Sequence, residues 1–200
     1  MRKVALACLA VLVMASVAQA QVSKADRDAM LDHLKKSKKD LEKATKGLSA
    51  AQWSFKAAPD RWSVAETYEH ITLAEDMLFG LIEKTAQSPA APEKKVATAS
   101  EKDAKIEQVV TDRSTKFKAP DPLQPTGRWS VDAMKKEFAA RRAKTMDFAK
   151  NSKEDLRAHF YAGPPGEMDG VQWVLFLSSH VERHIAQINE VKADPNFPKK

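Results

Sequence analysis

Among its 200 residues the chain carries five histidines, His33, His70, His159, His180 and His184. Imidazole changes charge near neutral pH and is the commonest protein ligand for transition metals. His180 and His184 form an H-x-x-x-H pair. On a helix that spacing sets both rings on one face, one turn apart, where they can hold one ion. His70 lies in the apolar half of a different helical pattern, beside Ile71 and one turn before Leu73 and Ala74. A third imidazole from a facing helix completes the ligand set of a catalytic metal site, with the remaining position open to water or substrate. The metalloprotease signature H-E-x-x-H is absent: Val181 and Glu182 follow His180, and Glu182 projects elsewhere. Histidines that serve only the packing of a bundle are the structural alternative.

Other candidates are weaker. His33 and His159 have no partner in spacing and read as surface or boundary residues. Gln187, nearly one turn after His184, can orient its ring or stand on a polar rim. Arg183 lies off the apolar stripe and can pair with an acidic group on the first helix. Glu69 and Glu75 flank His70; a supporting or general-base role is open to both, but a solvated helix face fits them better. Trp53, Trp62, Trp129 and Trp173 read as core and helix-staple residues rather than a ligand cage. Only six glycines are present, with no phosphate loop, no catalytic Ser or Cys constellation and no carboxylate pair of clear geometry.

Four long helical segments must position these residues. The first is expected from Lys24 to Leu48, where Met30, Leu31, Leu34, Leu41, Thr45 and Leu48 recur at helical steps. Ser49 to Trp53 can add a short turn. The second starts at a capping box, Ser63-Val-Ala-Glu66, and carries Tyr68, Ile71, Ala74, Leu78 and Ile82 on one face. Residues 88–127 form a long, Pro-rich connection in which Glu101 to Asp112 can make a short helix. The third starts at Ser130, with Met134, Phe138, Arg141 and Thr145 along one edge and Phe148 closing it. Arg128-Trp-Ser-Val131 repeats Arg61-Trp-Ser-Val64, each Trp placed to staple the chain onto its helix, Trp129 over Met134 in particular. Gly163-Pro-Pro-Gly166 is a firm break. Asp169 can cap the fourth helix, expected from Gly170 to Val191 with a wide apolar stripe. No segment alternates with period two, so the fold expected is an all-α four-helix bundle.

The N-terminus has a different character. Arg2 and Lys3 precede an apolar stretch, Val4 to Val17, and Ala18-Gln19-Ala20 follows. This is the pattern of a secretory signal peptide cleaved after Ala20, leaving one domain over residues 21–200. Fourteen apolar residues fall short of the ~20 that span a bilayer, so no stable membrane anchor is expected after processing. Cleavage removes Cys8, the single cysteine, which suits an oxidising periplasm or the cell exterior. It also lowers the formal net charge from +6 to +4. That charge is dispersed: Asp32, Asp40 and Glu42 interleave with Lys35, Lys36, Lys38 and Lys39. Nucleic-acid binding would need a basic stripe with reading or stacking groups, and none is present.

Trp53-Ser-Phe-Lys56, Pro59 to Glu66, Glu69-His-Ile71 and His180-x-x-Arg-His-x-x-Gln-Ile188 together resemble the DinB-like superfamily, over roughly residues 25 to 192. The resemblance implies a four-helix bundle and, in many members, a divalent metal on three histidines. By position these are His70, His180 and His184. Imidazole ligands suit Zn, Ni, Cu and Fe. The group includes bacillithiol- and mycothiol-dependent transferases, and several relatives are dimers, so a homodimer is one option. Low-molecular-weight thiols are chiefly cytoplasmic, which sets a thiol transferase against the export signal. Metal-dependent hydrolysis or transfer on an unknown small molecule is therefore the function expected. A non-catalytic metal- or small-ligand-binding bundle is the alternative.

Overall fold

The computed structural model describes residues 21–95, 99–163 and 166–199. The signal-peptide reading thus falls outside the described residues. Six helices are seen: α1 (Lys24–Thr45), α2 (Ala50–Ser54), α3 (Val64–Gln87), α4 (Ala99–Thr111), α5 (Val131–Asn151) and α6 (Gly170–Lys192). The four long ones, α1, α3, α5 and α6, pack in a ring in which α1 and α3 each touch both α5 and α6. α4 lies against α6, outside that ring.

Helix starts follow local side-chain chemistry. At α3 the Ser63 hydroxyl accepts the Glu66 amide N–H and the Glu66 carboxylate accepts that of Ser63. At α6 Asp169 and Gln172 make the same reciprocal exchange, and at α2 so do Ser49 and Gln52. Ser130 caps α5, but Ala133 stands where a box would need an acid or amide, so the cap is one-sided. α1 stops at Thr45, before the expected Leu48, ahead of Gly47 at φ +67°.

Two apolar clusters fill the bundle. One gathers Met30, Leu34, Leu78, Ile82, Trp173 and Leu177. The other gathers Leu41, Trp53, Tyr68, Phe138, Val181 and Ile188, with Trp129 packed against both. On α5 the buried row is Met134, Phe138, Arg142, Thr145 and Ala149. Arg142, not Arg141, points inward; Arg141 reaches Asp76 and the Thr72 carbonyl at the surface. The helix repeat of 3.6 places Phe138 and Arg142 four apart on one face.

Among the described residues the helical bundle carries one small departure from an all-α fold. Two four-residue strands, β1 (Phe160–Gly163) and β2 (Gly166–Asp169), pair antiparallel with Phe160 opposite Asp169. They are too short for alternation to register in the sequence. Gly163 is required there: a Cβ would stand 2.4 Å from the Trp173 ring. β2 ends on Asp169 and so delivers the chain directly into the cap of α6.

Candidate metal centre

α3 and α6 face each other, and each presents its histidines to the shared interface. The four-residue step on α6 brings His180 Nε2 and His184 Nε2 to 3.1 Å. His70 Nε2, from α3, lies 3.3 Å from His180 Nε2. One donor atom from each ring falls within 4.8 Å of the others, forming the group with metal-site geometry among the described residues.

The other nitrogens fix the tautomers. His70 Nδ1 lies 2.9 Å from the Leu123 carbonyl oxygen. A carbonyl only accepts, so Nδ1 carries the proton and Nε2 the lone pair. His184 Nδ1 lies 2.9 Å from Gln187 Oε1. Arg113 Nη1 donates to the same oxygen at 3.5 Å, which fixes the amide's orientation. His184 therefore also turns a lone pair inward. His180 Nε2 has at most one proton to offer two lone pairs, so the cluster is one donor short. Burial holds all three rings below the ordinary imidazole range, His184 at about 3, with neighbouring rings adding to the effect on His180 and His184. Neutral rings with convergent lone pairs are what a metal ion requires. Metal–nitrogen bonds of about 2.0–2.1 Å in a tetrahedron separate the nitrogens by roughly 3.3–3.4 Å. The residues present fit such an ion.

The surroundings were less visible in the sequence. Glu69 does not face solvent: it is 3% exposed. Its carboxylate accepts the amide N–H groups of Thr126 and Gly127, and the Arg128 side chain. Burial pushes its pKa up, but these bonds outweigh burial and hold it below the usual carboxylate range. The clamped turn, with Gly127 at φ +70°, follows the Leu123 carbonyl that orients His70. Trp62, expected as a staple, packs against His70 with ring centroids 4.9 Å apart and the rings tilted by 44°.

Glu75 also departs from the solvated face expected of it. It is 1% exposed and forms a two-pronged pair with Arg142 at 2.7 and 2.8 Å. Arg183 does not reach α1; it donates to the carbonyls of Val110, Asp112 and Thr115 on and after α4. The link from α6 to α1 runs instead from Glu182 to Lys36. His33 pairs with Glu107 of α4. His159 is buried more deeply than expected, with Nδ1 2.6 Å from the Ser88 carbonyl. Neither approaches the triad. Gln187 takes the orienting role that its spacing allowed.

A cleft of about 1850 Å³ opens onto the triad between α4, α3 and α6. His70, His180 and His184 line one part of it, together with Trp62, Arg113 and Gln187.

Comparison with known proteins agrees with this architecture. The chain is 30% identical over 149 residues to the uncharacterized protein YuaE of Bacillus subtilis strain 168, covering 74% of this chain and 87% of that one. In overall fold it matches YfiT from Bacillus subtilis, described as a probable metal-dependent hydrolase with an unusual four-helix bundle topology. The TM-score is 0.55 and the identity 11%, over 90% of this chain and 93% of YfiT. The DinB superfamily model matches residues 33–188, a span that includes all three histidines of the triad, and the chain belongs to that superfamily.

Proposed function

We propose that this protein is a metal-dependent enzyme, a hydrolase, whose divalent ion is held by His70, His180 and His184. The observation that carries the reading is the convergence of three neutral imidazoles with two lone pairs fixed inward by Leu123 and Gln187. A divalent ion supplies Lewis-acid chemistry, polarising a carbonyl and making water nucleophilic near neutral pH. The chain's own residues do the rest. Leu123 and Gln187 hold the rings in register, Trp62 packs against His70, and the cleft admits a small molecule beside them. Zn, Ni and Fe all suit the donor set. The likeness to YfiT, a probable metal-dependent hydrolase by its description, supports hydrolysis.

The proposal includes export, with cleavage after Ala20, on the strength of the basic, apolar and small-residue order of residues 2–20. The intact mass of protein recovered from the periplasm or medium would then begin at Gln21, and a product retaining Cys8 would overturn this part.

The deciding experiment is elemental analysis of untagged protein. One divalent ion per chain is expected, lost in His70→Ala, His180→Ala and His184→Ala and kept in His33→Ala and His159→Ala. Protein that takes up no ion after reconstitution with Zn, Ni and Fe salts would make the triad structural.

A further inference from the structure

Among the described residues the exposed large apolar side chains are Met77, Val109 and Phe117, at 41%, 61% and 77% exposure. All three line the cleft that opens onto the triad. They come from three segments: α3, α4 and the connection after α4. Exposed apolar residues scattered singly over a surface carry no message, whereas a convergent set marks a binding site. Leu81, Ile106 and Phe176, partly buried, extend the same wall.

Near the histidines the cleft lining carries Arg61, Arg113, Lys116 and Arg183 against Asp60. Glu190 answers two guanidiniums, with Arg113 at 2.6 and 2.7 Å and Arg61 at 3.5 Å. Arg183 is held by main-chain carbonyls and lies 5.5 Å over the Phe117 ring; Asp112 and Glu190 are the nearby acids. A second copy of the chain is a poor occupant. Its exposed large apolar groups would lie in its own concavity, and two concave surfaces cannot fill one another.

We propose that the cleft binds an amphiphilic acyl compound, a carboxylate or ester with a hydrocarbon chain. The chain would lie along Met77, Val109 and Phe117, and the carboxyl end would face the triad and the Arg113–Arg183 side. Only the direction of the carboxyl end rests on the metal-site reading; the apolar wall and the arginines stand without it.

The test uses protein purified from cells expressing all 200 residues and stripped of metal by chelation. It is titrated calorimetrically with acetate, octanoate, decanoate and laurate, each below its micellar concentration. Acetate should give no binding. From octanoate to laurate Kd should fall about two- to fourfold per methylene, the gain from partial to full burial of each group. Dodecyltrimethylammonium, with a matched chain and opposite charge, should bind at least about tenfold more weakly than laurate, given the cationic rim. The double variant Val109→Ser/Phe117→Ser, changed only at exposed positions, should weaken laurate about tenfold or more and leave metal content unchanged.

Equal affinity for acetate and laurate, or laurate binding untouched by the double variant, would overturn the proposal. Preference for the cationic surfactant would overturn its carboxylate half. If laurate fails to bind and the double variant turns a dimer into a monomer, a second copy occupies the cleft. If laurate fails to bind protein whose mass retains residues 1–20, the chain's own apolar N-terminus does; either result overturns the assignment. Failure of the metal reading appears separately, in the metal content of the histidine variants.

Discussion

Two of the polar clusters buried among the described residues are built on opposite principles. Between α1, α3 and α5, the Arg142 guanidinium meets both oxygens of Glu75, the Ser37 hydroxyl and the Leu34 carbonyl. Thr145 adds a further hydrogen bond to Glu75. Charges cancel, donors meet acceptors, and Arg142 is fully buried. Between α3 and α6, the three imidazoles leave lone pairs aimed at one another, with a cleft at their side. The first cluster is complete within the protein; the second is left one donor short. A saturated buried network specifies packing, while a network one donor short keeps lone pairs free for a ligand.

The largest effect expected from breaking this contrast is on the saturated side. Arg142→Ala leaves the Glu75 carboxylate buried without its partner and should cost about 3–5 kcal/mol. Arg142→Met with Glu75→Leu removes both charges and should recover most of that loss. Denaturant unfolding of the three proteins decides it. If the double variant were no more stable than Arg142→Ala, the pair would matter for its packing rather than for charge cancellation.

On the open side, the effect should depend on metal. With free ion at a hundred times its Kd, chelation should lower stability by about 2.7 kcal/mol, because the ion binds only the folded chain. The metal-free His180→Ala protein should unfold at nearly the temperature of the metal-free parent, since no satisfied network is lost. A large loss in metal-free His180→Ala would place the triad with Arg142 and Glu75, as a structural cluster.

Glu69 links the two kinds of construction, a saturated carboxylate supporting the open site. Glu69→Gln weakens the clamp on residues 126–128 and hence the loop that presents the Leu123 carbonyl to His70. Metal affinity should fall about tenfold, the low end for loss of support behind a ligand. The pH behaviour follows from the sign of the shift. The folded carboxylate is held below its ordinary value, so the unfolded chain binds more protons in the acid range. Its stabilising contribution is present above the ordinary carboxylate pKa and is lost as pH falls through the folded value. Comparing acid unfolding of Glu69→Gln with the parent measures that contribution, and coincident curves would remove it.

What could be read from the sequence was what is local. The H-x-x-x-H pair and the Ser63–Glu66 capping box act across three or four residues, within one turn, so their types and spacing are enough. His70 came from a family resemblance joined to its place in an apolar pattern. The misread residues have distant partners: Glu75 and Arg142 are 67 residues apart, Glu69 and Thr126 57. A carboxylate beside apolar residues looks like a solvated edge until the partner helix is in place. Spacing puts Arg141 on the edge with Phe138 and Thr145, whereas Arg142 turns inward, because a buried guanidinium makes sense only once its acceptors are known. The hairpin was too short to show a period, and the apolar cleft draws on three segments that no single window contains.

The smallest effect tests whether a local cap also serves the open site. Ser63 starts α3 immediately after Trp62, which packs against His70. Ser63→Ala should cost about 1 kcal/mol of stability. Glu66 also pairs with Lys56, so Glu66→Ala removes a surface ion pair as well as its half of the box. The double variant should nevertheless cost less than the sum of the two singles, because both single changes break the same reciprocal exchange. Metal content should be unchanged in all three proteins, as the His70 ring is held by Leu123 and by packing rather than by the cap. Additive costs would mean that Ser63 and Glu66 act as separate groups. Metal loss on Ser63→Ala would show that the start of α3, through Trp62, belongs to the support of the metal centre.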